Sequence, residues 1–425
     1  MSLSESPMSR RARLKRAAVP EPGPIRTLTK VTLTSAVGNG LFATIEAIFF
    51  TRSVGLTNHQ VALGLGIAAL VGLVVTIPAG HLADRRGPRE LIAIFLVLEG
   101  FAMAAFVLVH SFGGFVAVAI ASSVLRSAEG SAGMALISRF GAGEERVRIR
   151  AFQRSVGNLG MSVGMGVAAI ALAMDTRAGY VVMVLGNAAA YLVSAIMVMQ
   201  FPAMEPTSPK GSEKRGRGLV ALRDRHFLIA TALAGCMAIQ FAIQNVGVPL
   251  WVVQYTHAPR WWVAVLMLVN TSSVILFQVR FTRGTDDLTF AARTFRRSGL
   301  FIATACVLFS FAHGVGAVAA CIILTLATMV DVIGELLGSA AGWAIGFGMA
   351  VEGLQGQYQG VYALSWGIAS IFGPLLVAST ALAMGRPGWL ILGAMFIVTG
   401  AVYPPLIRSH LKERSRSSDI EGELA

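Results

Sequence analysis

The chain has 425 residues, of which 55% are hydrophobic and only 13% charged, with a formal net charge of +13. A soluble chain of this length carries roughly a quarter charged residues to wet its surface, so this composition excludes a soluble globular protein. A net charge of this sign would suit a nucleic acid, but the Lys and Arg residues gather in short connectors between apolar runs, which excludes that partner.

Residues 1–30 hold seven Lys and Arg and a Pro-rich spacer without an apolar core, and so read as a disordered basic tail and not as a signal peptide. Six apolar runs of membrane-crossing length follow, near 31–51, 61–80, 91–110, 114–137, 154–173 and 179–201, making a first bundle over 31–201. The longest connector, 202–225, is rich in Pro, Ser, Gly and basic residues and reads as a linker. Six more runs lie near 227–253, 261–280, 298–313, 316–343, 359–383 and 388–407, filling a second bundle over 226–408 before a basic tail, 409–425. The expected fold is all-α and integral to the membrane: twelve transmembrane helices in two six-helix bundles, arranged as a parallel repeat. The repetition shows faintly in two small-residue helices, "GNLGMSVGMG" with Gly160 and Gly164, and "WGIASIFGP" with Gly373 and Pro374, where glycine permits close helix packing.

With the N-terminus inside, thirty Lys and Arg fall in the inner segments, whereas the outer loops hold only Arg52, Arg177, Arg260 and Arg386. That asymmetry places both termini in the cytoplasm of a multi-pass protein of the cell (plasma) membrane. Cys236, Cys306 and Cys321 all fall in spans and read as apolar fillers. No metal-ligand cluster, cofactor loop or nucleophile motif stands in the sequence, so neither an enzyme nor a metal or other cofactor is expected.

Six ionisable residues fall well inside the spans: Glu46, Glu99, Arg126, Glu129, Asp331 and Glu335. Each costs about 2.5–3.5 kcal/mol at the bilayer centre, so they must pair, lose their charge or face a wet cavity. Arg126 and Glu129 share one helix face, as do Asp331 and Glu335. Gln240, Gln244 and Asn245 lie at helical spacing on span 7. Spans 1, 4, 7 and 10 therefore carry the polar set and are expected to line a central cavity, with Glu99 of span 3 as a structural partner for a neighbour. A carboxylate there gains and loses a proton as its surroundings change, which makes these residues candidates for proton coupling and substrate contact.

Two motifs carry a family resemblance. "GHLADRRGPRE", residues 80–90, resembles the loop that follows span 2 in the major facilitator superfamily, through Gly80, Leu82, Asp84, Arg85, Gly87 and Arg89. "LRSAEGSAGMA" on span 4 resembles the family's second motif, through Arg126 and Gly130. The resemblance implies that Gly80, Asp84, Arg85, Gly87 and Arg89 form a latch between the bundles. Asp84 is expected against the N-terminus of span 11, with Arg85 and Arg89 closing an ion-pair network around it. It also implies secondary transport akin to the drug/proton antiporter group: proton-coupled efflux of a small amphiphilic drug or secondary metabolite by alternating access. Glu46 would carry the proton, Arg126 would meet proton sites or anionic groups, and Asp331 or Glu335 would meet a cationic substrate. The Pro of the family's antiporter motif on span 5 is replaced by Met165, and the Gln240–Gln244–Asn245 set keeps open a proton-coupled importer of a small nutrient or metabolite. Protons, a small molecule and the lipid bilayer are the expected partners, and the expected state is a monomer.

Overall fold

The computed structural model describes residues 23–140, 143–202, 220–285 and 287–423. In the first half, α1 spans Pro24–Ile48, α2 Asn58–Arg86, α3 Pro88–Leu108, α4 Phe112–Ile137, α5 Glu144–Met174 and α6 Arg177–Val198. In the second half, α7 spans Arg225–Tyr255, α8 Trp262–Thr282, α9 Leu288–Phe311, α10 Ala317–Gly348, α11 Gln355–Leu382 and α12 Arg386–Glu423. Ten of these helices, all but α1 and α9, are long and apolar enough to cross a membrane by length and composition.

The helix starts follow local chemistry. Thr57 and Gln60 form a capping box ahead of α2, and the side chains of Ser111, Thr176 and Asp224 accept backbone N–H bonds at the starts of α4, α6 and α7. Proline opens α1 and α3, where its missing N–H costs nothing. That start sets α1 running from Pro24, inside the segment expected to be a tail; residues 1–22 lie outside the described residues. Most of the expected linker, residues 203–219, also lies outside them, while Val220–Leu222 forms one short turn before the Asp224 cap. At the other terminus α12 continues as helix to Glu423, through most of the expected tail.

Within the first half α1 packs along α5 and α6, α2 along α4, and α3 along α4 and α6. Within the second, α9 packs along α10 and α12, and α7 along α11 and α12. Gly160 and Gly164 face Leu33–Leu41 of α1, and Gly373, one residue before the in-helix Pro374, faces Ala242 of α7. A matching aromatic cluster seals one end of each half: Phe50, Phe106 and Phe115 in the first, Trp251, Phe309 and Trp389 in the second. The two halves meet through α2 and α4 against α11, and through α5 against α8 and α10.

Candidate functional site

The charged knot after α2 joins the halves. Asp84, buried at the end of α2, accepts the backbone N–H of Gly356 at 2.8 Å through Oδ1 and that of Gln357 at 2.9 Å through Oδ2. Both donors belong to the first turn of α11, whose N–H groups have no intrahelical partner and carry the positive end of the helix dipole. The approach requires glycine on both sides. A Cβ on Gly80 would strike the Gly356 carbonyl oxygen, and one on Gly356 would lie 2.7 Å from Asp84 Oδ1. Gly87 then turns the chain into α3 with φ of 89°, a conformation that side-chain-bearing residues rarely adopt.

The expected arginine network around Asp84 does not form. Arg89 donates to the Met199 carbonyl at the end of α6 and reaches its neighbour Glu90, while Arg85 is exposed. The turn at Gly87 starts α3 in a new direction and carries Arg89 away from α2. The cation that acts on Asp84 is Arg139, in the connector after α4. Gln357 extends the contact by accepting the Ala221 N–H, which ties the end of the linker to the same helix start.

A second junction lies deeper. Arg154 of α5 forms an ion pair with Glu335 of α10, and also donates to Ser339 at 2.5 Å and to Gln278 of α8 at 3.2 Å. Its guanidinium sits 5.3 Å from the ring centre of Phe241 on α7. Glu335 receives two further bonds, from Gln244 at 2.8 Å and Asn270 at 2.9 Å, and the same Gln244 amide nitrogen reaches Asp331 at 2.7 Å. Asp331 and Glu335 thus share a face, as their spacing implies, and both are buried.

The three polar residues of α7 do not act as one set. Residues Ile243–Gly247 form a π-helical turn, which shifts the side-chain phase where Gln244 and Asn245 stand. Gln244 meets the acids, and exposed Asn245 lines a cavity of about 140 Å³ that also includes Asp331. Gln240 is buried instead against Ser339 and Trp343 in a space of about 30 Å³, its side-chain oxygen without a partner.

In the first half, Arg126 and Glu129 part company. Arg126 turns to buried Glu99 of α3 at 3.4 Å, and its field also reaches Glu46 of α1. Glu99 is therefore the structural partner its position implies. Arg126 keeps 54% of its side chain exposed, so it lines an open space and is not sealed in the bundle. Glu129 lines a separate cavity of about 390 Å³ together with Arg150, Gln153, Arg154 and Asn158 of α5.

Arg150 and Arg154 were not among the expected intramembrane charges, because the apolar run begins at Arg154 and both count as loop residues by hydropathy alone. The signal was present: Arg146, Arg150 and Arg154 recur every four residues and so share one face of α5. Asn270, Gln278 and Ser339 carried no comparable signal, since single polar residues are common in such helices.

The contacts named between the halves run from the α2–α3 end of the molecule to mid-depth, where Arg154 meets Glu335. At the other end the polar contacts among the described residues stay within a half, as in Arg52 with Asp175 and Tyr255 with the Leu382 carbonyl. A model of the Major Facilitator Superfamily matches residues 30–374. The chain belongs to the major facilitator superfamily. A search of the curated proteins finds no match. Solved structures of facilitator-superfamily transporters share the fold. A bacterial homologue of the iron transporter ferroportin in an outward-facing state aligns with TM-score 0.70 and 13% identity, over 91% of this chain and 99% of its own. The fucose–proton symporter of E. coli aligns with TM-score 0.68 and 15% identity, over 91% and 98%. The human organic anion transporter MFSD10 aligns with TM-score 0.61 and 13% identity, over 89% and 98%. This facilitator-superfamily chain is thus a multi-pass membrane protein and a secondary transporter.

Proposed function

We propose that the protein exports a small amphiphilic molecule, a drug or secondary metabolite, in exchange for protons. In this reading α1 and α9 cross the bilayer as well, giving twelve spans, and the basic connectors put both termini in the cytoplasm of a plasma-membrane monomer. The Asp84 junction then lies on the cytoplasmic side, and the present conformer is closed inward and open outward.

One observation carries the reading. The halves are held together by bonds that end on ionisable groups, Asp84 at the helix start and Glu335 at mid-depth. A group that binds a proton in one state and a cation in the other links proton movement to rocking of the halves. Glu46 faces the field of the same Arg126 that pairs with Glu99, so loading Glu46 with a proton changes what Arg126 must neutralise. The amides of Gln244 and Asn270 that converge on Glu335 favour the second reading, proton-coupled import of a small nutrient or metabolite, because such directed bonds suit a specific polar ligand.

The test uses inverted membrane vesicles with an acidic interior and a pH-sensitive dye, challenged with lipophilic cations, neutral antibiotics and anionic metabolites. Efflux predicts that a compound collapses the gradient with the intact protein and not with Glu46→Gln, although that variant reaches the membrane at a normal level. Full gradient-driven transport by Glu46→Gln removes Glu46 as the coupling acid. Accumulation confined to right-side-out vesicles replaces export by import.

A further inference from the structure

The two acids of α10 have different surroundings. Glu335 is saturated: Arg154 pairs with one oxygen, while Gln244 and Asn270 donate to the other. Asp331 receives one bond, from Gln244 to Oδ2, and no cation pairs with it among the described residues. Of the two buried carboxylates, only Glu335 meets the guanidinium. The side chains around Asp331 from the packed helices, Gln244 and Asn245 of α7, Asn270 of α8, and Cys306 and Phe309 of α9, bring no positive charge. A buried carboxylate without a counter-charge is strongly disfavoured, so Asp331 holds a proton or takes a cation.

The space beside it distinguishes these. Asp331 lines a cavity of about 140 Å³ between α7, α8, α9 and α10. Thr328, one turn before Asp331 on the same face, lines that cavity; it is only 6% exposed, and its hydroxyl has no hydrogen-bond partner among the described residues. Asn245 brings an amide oxygen, and Phe309 forms part of the wall. A lone proton needs no such space. Whole drug-sized ligands occupy roughly 300–1,000 Å³, so this cavity admits a head group and leaves the rest of the ligand outside. Acceptors beside an aromatic wall and a net negative charge suit an ammonium with several N–H donors.

We propose that the Asp331 cavity binds the protonated amine head group of an organic-cation substrate, with Asp331 as counter-ion and Thr328 and Asn245 as further acceptors, while Glu335 is committed to Arg154. This rests on the transporter reading and adds to it an amine head-group site at Asp331 and a division of labour between the two acids. The amine donates to the free Asp331 oxygen and leaves the Gln244 bond in place.

Binding separates the two readings, because it requires no gradient. The full chain in lipid nanodiscs, at fixed pH and salt, is titrated with phenethylamine, with phenethyl alcohol and phenylpropionate as neutral and anionic counterparts, and with sodium chloride alone. The expected result is saturable binding of the amine only. Asp331→Asn weakens it by about tenfold or more, the worth of one charge-assisted hydrogen bond, and Thr328→Val weakens it by a few-fold. If Asp331→Asn is not monodisperse, Thr328→Val and Phe309→Leu carry the test, and unchanged amine affinity in both overturns the proposal. Equal binding of amine and alcohol overturns it, as does an amine affinity unaltered by Asp331→Asn. A response to sodium that the amine does not compete with makes the cavity an inorganic-cation site and overturns it too. Absence of amine binding, with proton-driven transport of a non-amine in vesicles, sinks this proposal and leaves the transporter reading standing.

Discussion

Arg154 of α5 and Glu335 of α10 form an ion pair that joins the two halves of the molecule at mid-depth, with 15% and 2% of the side chains exposed. Removing one partner of a buried pair costs about 3–5 kcal/mol, because the other charge stays behind. Arg154→Gln leaves Glu335 with amide donors only and is expected to lower the melting temperature more than Glu335→Gln, which keeps Gln244 and Asn270 as neighbours. The double variant recovers part of the loss. Strictly additive losses in a thermal-shift cycle would show that the pair is not coupled.

Asp84→Asn is expected to open the α2–α11 contact. Asparagine keeps one acceptor oxygen but turns an NH₂ donor toward the second N–H, at a cost of about 1.5–3 kcal/mol for each charge-assisted bond lost. Transport falls while the amount of protein in the membrane does not. Transport at the wild-type rate would reduce the loop to a polar connector.

Gly356→Ala attacks the same contact by volume. Its Cβ comes 2.7 Å from Asp84 Oδ1, so α11 must move back from α2. Labelling of a cysteine placed on the α2–α3 connector should rise in Gly356→Ala as in Asp84→Asn, and combining the two should add little. Separate, additive increases would assign the glycine to helix packing alone.

Glu99 is buried beside Arg126, whose own side chain stays about half exposed. Arg126→Ala strands the Glu99 carboxylate and is expected to cost more stability than Arg126→Ala combined with Glu99→Gln. Melting curves of the three purified proteins decide it, and a double variant less stable than Arg126→Ala rules out the stranded charge as the cause.

Arg52 and Asp175 lie in the connectors outside the spans, where they meet Tyr180 at the start of α6. The Tyr180 hydroxyl at 2.5 Å, together with Arg52, holds the Asp175 carboxyl below its usual range. A depressed carboxylate contributes its stability above the unfolded value of about 4 and loses it as pH falls through the folded one. The contact is exposed, so the effect is small. The melting-temperature gap between the wild type and Asp175→Asn should be constant above about pH 5 and close in stronger acid. A gap that widens as pH falls would contradict this sign.

The legible features were those set by composition and period. Apolar runs of bilayer length located the helices, and the four-residue spacing of Asp331 and Glu335 put both acids on one face, because helix geometry is local. The same rule put Arg126 and Glu129 on one face but named no partner for either, and Glu99 on another helix takes Arg126. Arg89 was expected beside Asp84 from the family resemblance, and one glycine turn redirected it; hydropathy assigned Arg150 and Arg154 to a loop, although their four-residue spacing marked a helix face. On α7 a π turn, invisible to a period of 3.6, separated Gln240 from Gln244.

By itself the sequence determined that this chain lives in a membrane and that a few charges must find partners inside. Those conclusions rest on the high cost of burying unpaired charge and of exposing apolar surface, both of which depend on residue type and position along the chain. Only the tertiary structure decided that Arg154 takes Glu335 and leaves Asp331 beside an open cavity, and that Asp84 meets the first turn of α11. Pairing across more than a hundred residues depends on how helices from different halves pack, and no local periodicity carries that information.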